Sequence, residues 1–172
     1  MIRKDFLRSL LGLSAWSVTG CGSTEPEYPE AGERPELFKT ASEWRALLTP
    51  AAFAVLFEEA TEPPGSSPLE HEVRDGTYVC AACFVPLFSA QTKYDSLTGW
   101  PSFWASIDDG RLGFKQDYQL SVPRTEYHCR RCGGHQGHVF NDGPAPTGKR
   151  YCNNGLALRF VPLGEPLPDL RT

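Results

Sequence analysis

Two Cys-x-x-Cys pairs, Cys80/Cys83 and Cys129/Cys132, constrain this chain more than any other feature of its sequence. Four thiolates in this pattern suit a tetrahedral structural Zn²⁺ site. They also pair evenly as two disulfides, which an oxidising compartment would favour. Either way the chain must bring two distant knuckles to one point. The 45 residues between them, 84–128, must therefore run out and back, which calls for a layer of strands. The first pair interrupts TYVCAACFVP (77–86), a β-rich run of the kind that forms a knuckle on a hairpin. A zinc ion with four protein ligands keeps no open position, so this site is structural and the chemistry must lie elsewhere.

The second pair opens the densest stretch of the chain, CRRCGGHQGHVFNDGPAPTGKRYCNNG, residues 129–155. Its Gly and Pro content predicts mostly turn and loop joining short strands. It carries His135 and His138, Asp142 in an Asp-Gly-Pro turn, and an isolated Cys152. Of the chain's 6 cysteines, Cys152 is the one left when four go to the paired site and Cys21 to the amino-terminal segment. A single cysteine in an exported protein is either reactive or deeply buried. The polar neighbours Arg150, Asn153 and Asn154 favour reactivity: a thiolate helped by a nearby cation, with His135 or His138 as proton donor.

Residues 1–20 have the layout of an export signal, with Arg3, Lys4 and Arg8 ahead of a short apolar run. That run is too short to span a bilayer. It ends in Val18-Thr19-Gly20-Cys21, which resembles the lipoprotein signal box and implies a lipidated Cys21 at the mature N-terminus; the alternative is an ordinary signal peptide. Arg3 to Arg8 also resembles a twin-arginine signal with Lys4 in place of the second arginine, so the export route stays open. Residues 21–36 are rich in Pro, Gly and Glu and read as a flexible tether. The expected organisation is thus signal 1–20, tether 21–36 and one domain 37–172, on a membrane-anchored lipoprotein of the bacterial cell envelope facing the periplasm.

Within the domain, a Thr40–Glu43 capping box predicts a short helix ended by Pro50. Residues 51–60 predict a second, with Phe53, Leu56 and Phe57 on one face. The 15 Pro and 16 Gly predict a loop-rich domain of short strands. Apolar alternations at Leu112/Phe114, Leu120/Val122 and Tyr127 predict antiparallel strands over 104–128, with a turn at Asp109-Gly110. In Gly99-Trp100-Pro101, a large aromatic is fixed between a flexible and a rigid residue. A net charge of −4 speaks against a nucleic-acid partner.

Taken together, TEPP (61–64), the two cysteine pairs, KYDSLTGWPSF (93–103), HQGHVFNDGPAPTG (135–148) and KRYCNNGLALRF (149–160) resemble the B-type methionine sulfoxide reductases over residues 37–160. The resemblance implies a mainly β fold of two antiparallel sheets with short N-terminal helices and a zinc clamp distant from the active centre. It implies Cys152 as the nucleophile on the sulfoxide sulfur, with His135 and His138 binding and protonating the oxygen. Asp142 and Arg150 would orient and charge-balance the site, Asn154 would steady Cys152, and the ring of Trp100 would hold the substrate's S-methyl group. The implied substrates are methionine-R-sulfoxide, free or in oxidised proteins; the implied reductant is thioredoxin-like. Three positions depart from the common pattern: Gly65 for an aromatic, Gln136 for an apolar residue, and Gly155 for Ser. Many members carry a resolving cysteine near Gly-Trp-Pro-Ser-Phe; here Thr98 stands before Gly99. Two other classes remain in view. A zinc-containing ligand-binding module would have no use for Cys152 or the histidines. A zinc hydrolase built on His135 and His138 lacks the helical His-Glu-x-x-His context.

Overall fold

The computed structural model describes residues 35–172. The expected signal segment, Cys21 and all of the expected tether but Pro35 and Glu36 lie outside the described residues. Helix α1 (Ala41–Leu47) starts at the expected capping box, Thr40 and Glu43 each closing onto the other's backbone. Pro50 stops that run because it opens the next one: it is the first residue of α2 (Pro50–Glu58), capped by Thr49. Trp44, Phe53, Val55 and Leu56 turn inward, and Trp44 stacks on Phe57 at 4.9 Å between centroids. No helix among the described residues is long and apolar enough to cross a membrane.

Nine strands follow: β1 (Gly76–Cys80), β2 (Pro86–Ser89), β3 (Lys93–Tyr94), β4 (Ser102–Phe103), β5 (Leu112–Asp117), β6 (Arg124–Cys129), β7 (His135–Phe140), β8 (Arg150–Asn153) and β9 (Leu158–Pro162). They form a three-stranded sheet, β2-β1-β9, and a six-stranded sheet, β3-β4-β8-β7-β6-β5, antiparallel throughout. The two sheets meet over aromatic side chains. Phe88 stacks on Phe103 at 4.4 Å and Tyr78 meets Phe103 edge-on at 4.9 Å, while within the larger sheet Tyr127 meets Tyr151 at 5.4 Å. All five are buried. Truncating Phe88, which reaches from the smaller sheet to the rings of Phe103, Tyr127 and Tyr151 on the larger one, would cost about 3–5 kcal/mol.

The mainly β, two-sheet expectation is therefore met, with two local corrections. Leu120 and Val122 are not in a strand. They lie on the β5–β6 connection, 58% and 69% exposed, because β5 and β6 end where Asp117 pairs with Arg124. The stretch 129–155 is also less loop-like than its Gly content suggests: His135–Phe140 and Arg150–Asn153 are strands in the middle of the larger sheet. Glycine at 137 reflects close approach rather than a turn, since a Cβ there would fall 1.9 Å from the Cys152 carbonyl oxygen.

Candidate active site and metal centre

The two cysteine knuckles are built alike. Cys80 ends β1 and Cys129 ends β6. In each, the first cysteine's N–H donates to the carbonyl five residues on (Val85, Gly134). The residue four on (Phe84, Gly133) donates back to the first cysteine's carbonyl. That fourth residue has positive φ in both, 67° at Phe84 and 76° at Gly133. Glycine adopts this readily; Phe84 has the Arg171 guanidinium 4.4 Å over its ring. The four sulfurs lie within 4.8 Å of one another, with Cys80–Cys132 at 3.7 Å and Cys83–Cys129 at 3.6 Å. A disulfide needs about 2.05 Å. A tetrahedral ion with metal–sulfur bonds of about 2.3 Å spaces its sulfurs about 3.8 Å apart. The cluster fits a metal ion, and the disulfide alternative is not the one adopted.

The second site forms on the larger sheet. Strand alternation puts Arg150 and Cys152 of β8 on one face and Tyr151 and Asn153 in the core. Across the ladder, Cys152 pairs with His138 on β7 and with Ser102 on β4. On a regular strand, side chains three apart leave opposite faces. Gln136 is an extra residue opposite the Tyr127–His128 step, and this bulge resets the alternation. The rings of His135 and His138 consequently meet at 5.6 Å.

A pocket of about 280 Å³ opens over this face, lined by Thr98, Trp100, Arg124, His138, Cys152 and Asn154 among others. It is at the small end for ligand sites and suits one side chain. The expected residues divide around it. Trp100, His138, Arg150, Cys152 and Asn154 line it. His135 and Asp142 do not. His135 is buried behind His138, its Nδ1 3.0 Å from the Glu126 carboxylate. Asp142 stands outside and grips Arg150 through two bonds of 2.8 and 2.7 Å. The Phe140 ring lies 4.2 Å under the same guanidinium, so Arg150 is held on two sides. Asn154 gives its amide to backbone: Oδ1 accepts from Glu62 N–H at 3.1 Å and Nδ2 donates to the Gln136 carbonyl at 3.2 Å.

Several residues of this site were not singled out from the sequence. Buried Glu62 accepts from the N–H groups of Gly155 (2.5 Å) and Leu156 (3.0 Å), while its own carbonyl accepts the Trp100 indole N–H at 3.1 Å. One residue thus fixes the ring and the segment after Cys152 together. Asp117 accepts from Arg124 Nη2 at 2.5 Å and lies 2.8 Å from His138 Nε2. Asn153, which the sequence did mark as a polar neighbour of Cys152, accepts from the Tyr127 hydroxyl at 2.6 Å. Glu62 falls inside TEPP, which the sequence did flag; nothing local marked Asp117 or Arg124, which meet only through the β5–β6 hairpin.

Burial pushes the Cys152 thiol above its ordinary value of 9.0, against the pull of the Arg150 charge and of hydrogen bonds from Thr98 and Arg150. The resting group is therefore a thiol, not the thiolate expected from its neighbours in sequence. Burial also lowers His138 below 6.5, with Asp117 opposing. For Asp117, burial raises the carboxyl, but the Gln119 amide, His138 and Arg124 outweigh it and bring it to about 2. At neutral pH the pocket holds a thiol beside a largely neutral imidazole backed by a carboxylate.

Comparison with known proteins agrees with this geometry. Residues 48–162 match the SelR domain family. The chain is 49% identical over 122 residues to the peptide methionine sulfoxide reductase MsrB of Methanosarcina barkeri, covering 71% of this chain and 86% of that protein. It is 46% identical to the MsrB of Leptospira interrogans (73% and 95% covered) and 48% to that of Pseudomonas putida GB-1 (72% and 95%). With the SelR match spanning most of the domain and both cysteine knuckles, the strand pairing and the Cys152 pocket in place, this chain belongs to the B-type peptide methionine sulfoxide reductases.

Proposed function

We propose that the protein reduces methionine-R-sulfoxide, free or within oxidised proteins, to methionine, with Cys152 taking up the oxygen. The observation that carries this is the pairing of Cys152 with His138 across β7 and β8 on the face of a pocket walled by Trp100. A sulfoxide oxygen leaves only when protonated, so the site needs a nucleophile behind sulfur and an acid beside oxygen. With the S-methyl group against the Trp100 ring, the oxygen lies toward His138 and the sulfur toward Cys152. Sulfur–sulfur attack, proton transfer to the oxygen and its passage to Cys152 turn sulfoxide plus thiol into sulfide plus sulfenic acid, balanced in atoms and electrons. A chiral sulfoxide fixed at three points would explain acceptance of one epimer.

Recycling follows from which cysteines remain. Thr98, not a cysteine, hydrogen-bonds Cys152, and the other described cysteines sit together in the metal cluster. An external thiol then condenses with the sulfenic acid, releasing water, and a second thiol frees Cys152; a thioredoxin-like protein would supply both. The metal is read as one structural Zn²⁺ held by Cys80, Cys83, Cys129 and Cys132, its four-sulfur set being typical of zinc. Export and anchoring of the chain through a lipidated Cys21, in the periplasm-facing cell envelope, are part of the same proposal and rest on residues 1–36.

Purified protein incubated with each methionine sulfoxide epimer and dithiothreitol should form methionine from the R epimer alone. Methionine from the S epimer, or from neither, would refute the assignment. One equivalent of substrate without thiol should leave a Cys152 adduct with a dimedone probe; a disulfide to a cluster cysteine would overturn the one-cysteine cycle.

A further inference from the structure

Gln136 is the extra residue of the β7 bulge and is 0% exposed, yet its Oε1 has no hydrogen-bond partner. A buried amide with an unpaired acceptor calls for an explanation. Its other end supplies one. Nε2 lies 3.6 Å from Cys80 Sγ and 3.3 Å from the Gly134 carbonyl oxygen. Both neighbours are acceptors, which fixes nitrogen at that end. The backbone carbonyl of the same residue accepts from Asn154 twice, from its N–H at 2.8 Å and from Nδ2 at 3.2 Å.

We propose that Gln136 is a positioning residue that fastens the metal clamp to the catalytic strand, its side chain donating to the Cys80 sulfur and its carbonyl holding Asn154. The inference rests on the zinc reading of the four-cysteine cluster. A metal-bound thiolate keeps negative charge, and an N–H donor aimed at it draws that charge away from attack by protons and electrophiles. The same bond anchors the bulge, and the bulge sets His135 and His138 on one side of β7. Clamp and pocket thus share one residue, although the clamp cysteines themselves do not line the pocket. An apolar residue here could fill the volume but would leave Cys80 without a donor.

The test compares zinc-loaded wild type, Gln136→Leu and the core control Val161→Ala, after measuring the zinc content of each. Gln136→Leu should lose zinc to a chromophoric chelator roughly 10- to 100-fold faster, the range for outer-shell donors. Limited alkylation mapped by mass spectrometry should mark Cys80 first among the four clamp cysteines. Val161→Ala should show no preference for Cys80. While zinc is still fully bound, the kcat of Gln136→Leu should fall roughly 2- to 30-fold, as at coupled positions elsewhere. Wild-type zinc-release rates, or even alkylation of all four cysteines, would overturn the donor role. Faster release with unchanged kcat would overturn the link to the catalytic strand. Wild type without zinc and with two disulfides would instead overturn the zinc reading, and this inference with it.

Discussion

The four-cysteine clamp and the Cys152 pocket are both organised by cysteine, yet they are assembled by opposite means. Each half of the clamp is a six-residue loop closed by its own two backbone bonds, and the halves repeat the same pattern. All four ligands are buried. The pocket has no local unit. Thr61, Trp100, Arg124, His138 and Cys152 arrive from separate segments, and strand register decides who meets whom. Its cysteine, Cys152, is only partly buried. The clamp therefore answers to a rule confined to a few residues. The pocket exists only once the whole larger sheet is paired.

The sharpest way to break this contrast is to remove one cysteine from each site. Cys129→Ser should lose the metal and with it the fold, because structural-metal binding is folding free energy of about 10 kcal/mol or more, comparable to a domain's whole stability. Metal analysis and circular dichroism would show this; a folded, metal-free variant would mean that the clamp is dispensable. Cys152→Ser should abolish turnover while the melting temperature stays close to that of the wild type. Loss of the fold there would show that the pocket, too, is structural.

Glu62 lies on the boundary between the two kinds of site, holding Trp100 with its carbonyl and the Gly155–Leu156 turn with its carboxylate. Glu62→Ala leaves the buried Gly155 N–H and the part-buried Leu156 N–H unpaired and should destabilise by about 2–3 kcal/mol, as expected for hydrogen bonds to a charged group. It should also lower kcat/KM, since the ring and the segment after Cys152 would no longer be fixed to one another. Denaturant titration and steady-state kinetics test both; full activity in a destabilised variant would reduce Glu62 to a packing role.

What the sequence disclosed follows the same division. The clamp was legible because its ligands recur at fixed spacing, and the capping box at Thr40 because its two partners are three residues apart. Pro50 was read as an end and proved also to be a beginning. In the pocket, Cys152, Arg150 and His138 were already marked by their residue chemistry, while the roles of Trp100 and Asn154 came only with the resemblance of the whole pattern. Asp117 and Arg124 stayed hidden because a hairpin brings them together. Likewise nothing in Arg-Tyr-Cys indicates that Cys152 is buried enough to raise its thiol, which is a property of the closed sheet. The departure at Gly155 also has a tertiary cause: a Cβ there would lie 1.9 Å from Ser67 Oγ. Ser67 and Gly155 are therefore matched to each other in this chain.

The gentlest probe of the pocket is pH. Cys152 is raised above 9.0 and His138 lowered below 6.5, both mainly by burial. Between those limits the pair carries one proton, and it resides on sulfur. Thiol with neutral imidazole has the same proton count as thiolate with imidazolium, so either can lead to attack without exchange with solvent. As pH falls through the His138 value the pair gains a second proton and the thiol can no longer pass its own to the ring. As pH rises through the Cys152 value the proton needed by the leaving oxygen is lost. The profile of kcat/KM should then be a broad plateau, with an acid limb below pH 6.5 and an alkaline limb above pH 9. Replacing His138 with Asn should remove the acid limb and leave the alkaline one. Replacing Arg150 with Met removes the charge that restrains the Cys152 rise, and should move the alkaline limb further up. An alkaline limb that moves down instead would mean that Arg150 does not act on the thiol, and that Asp142 and Phe140 hold it for substrate binding alone.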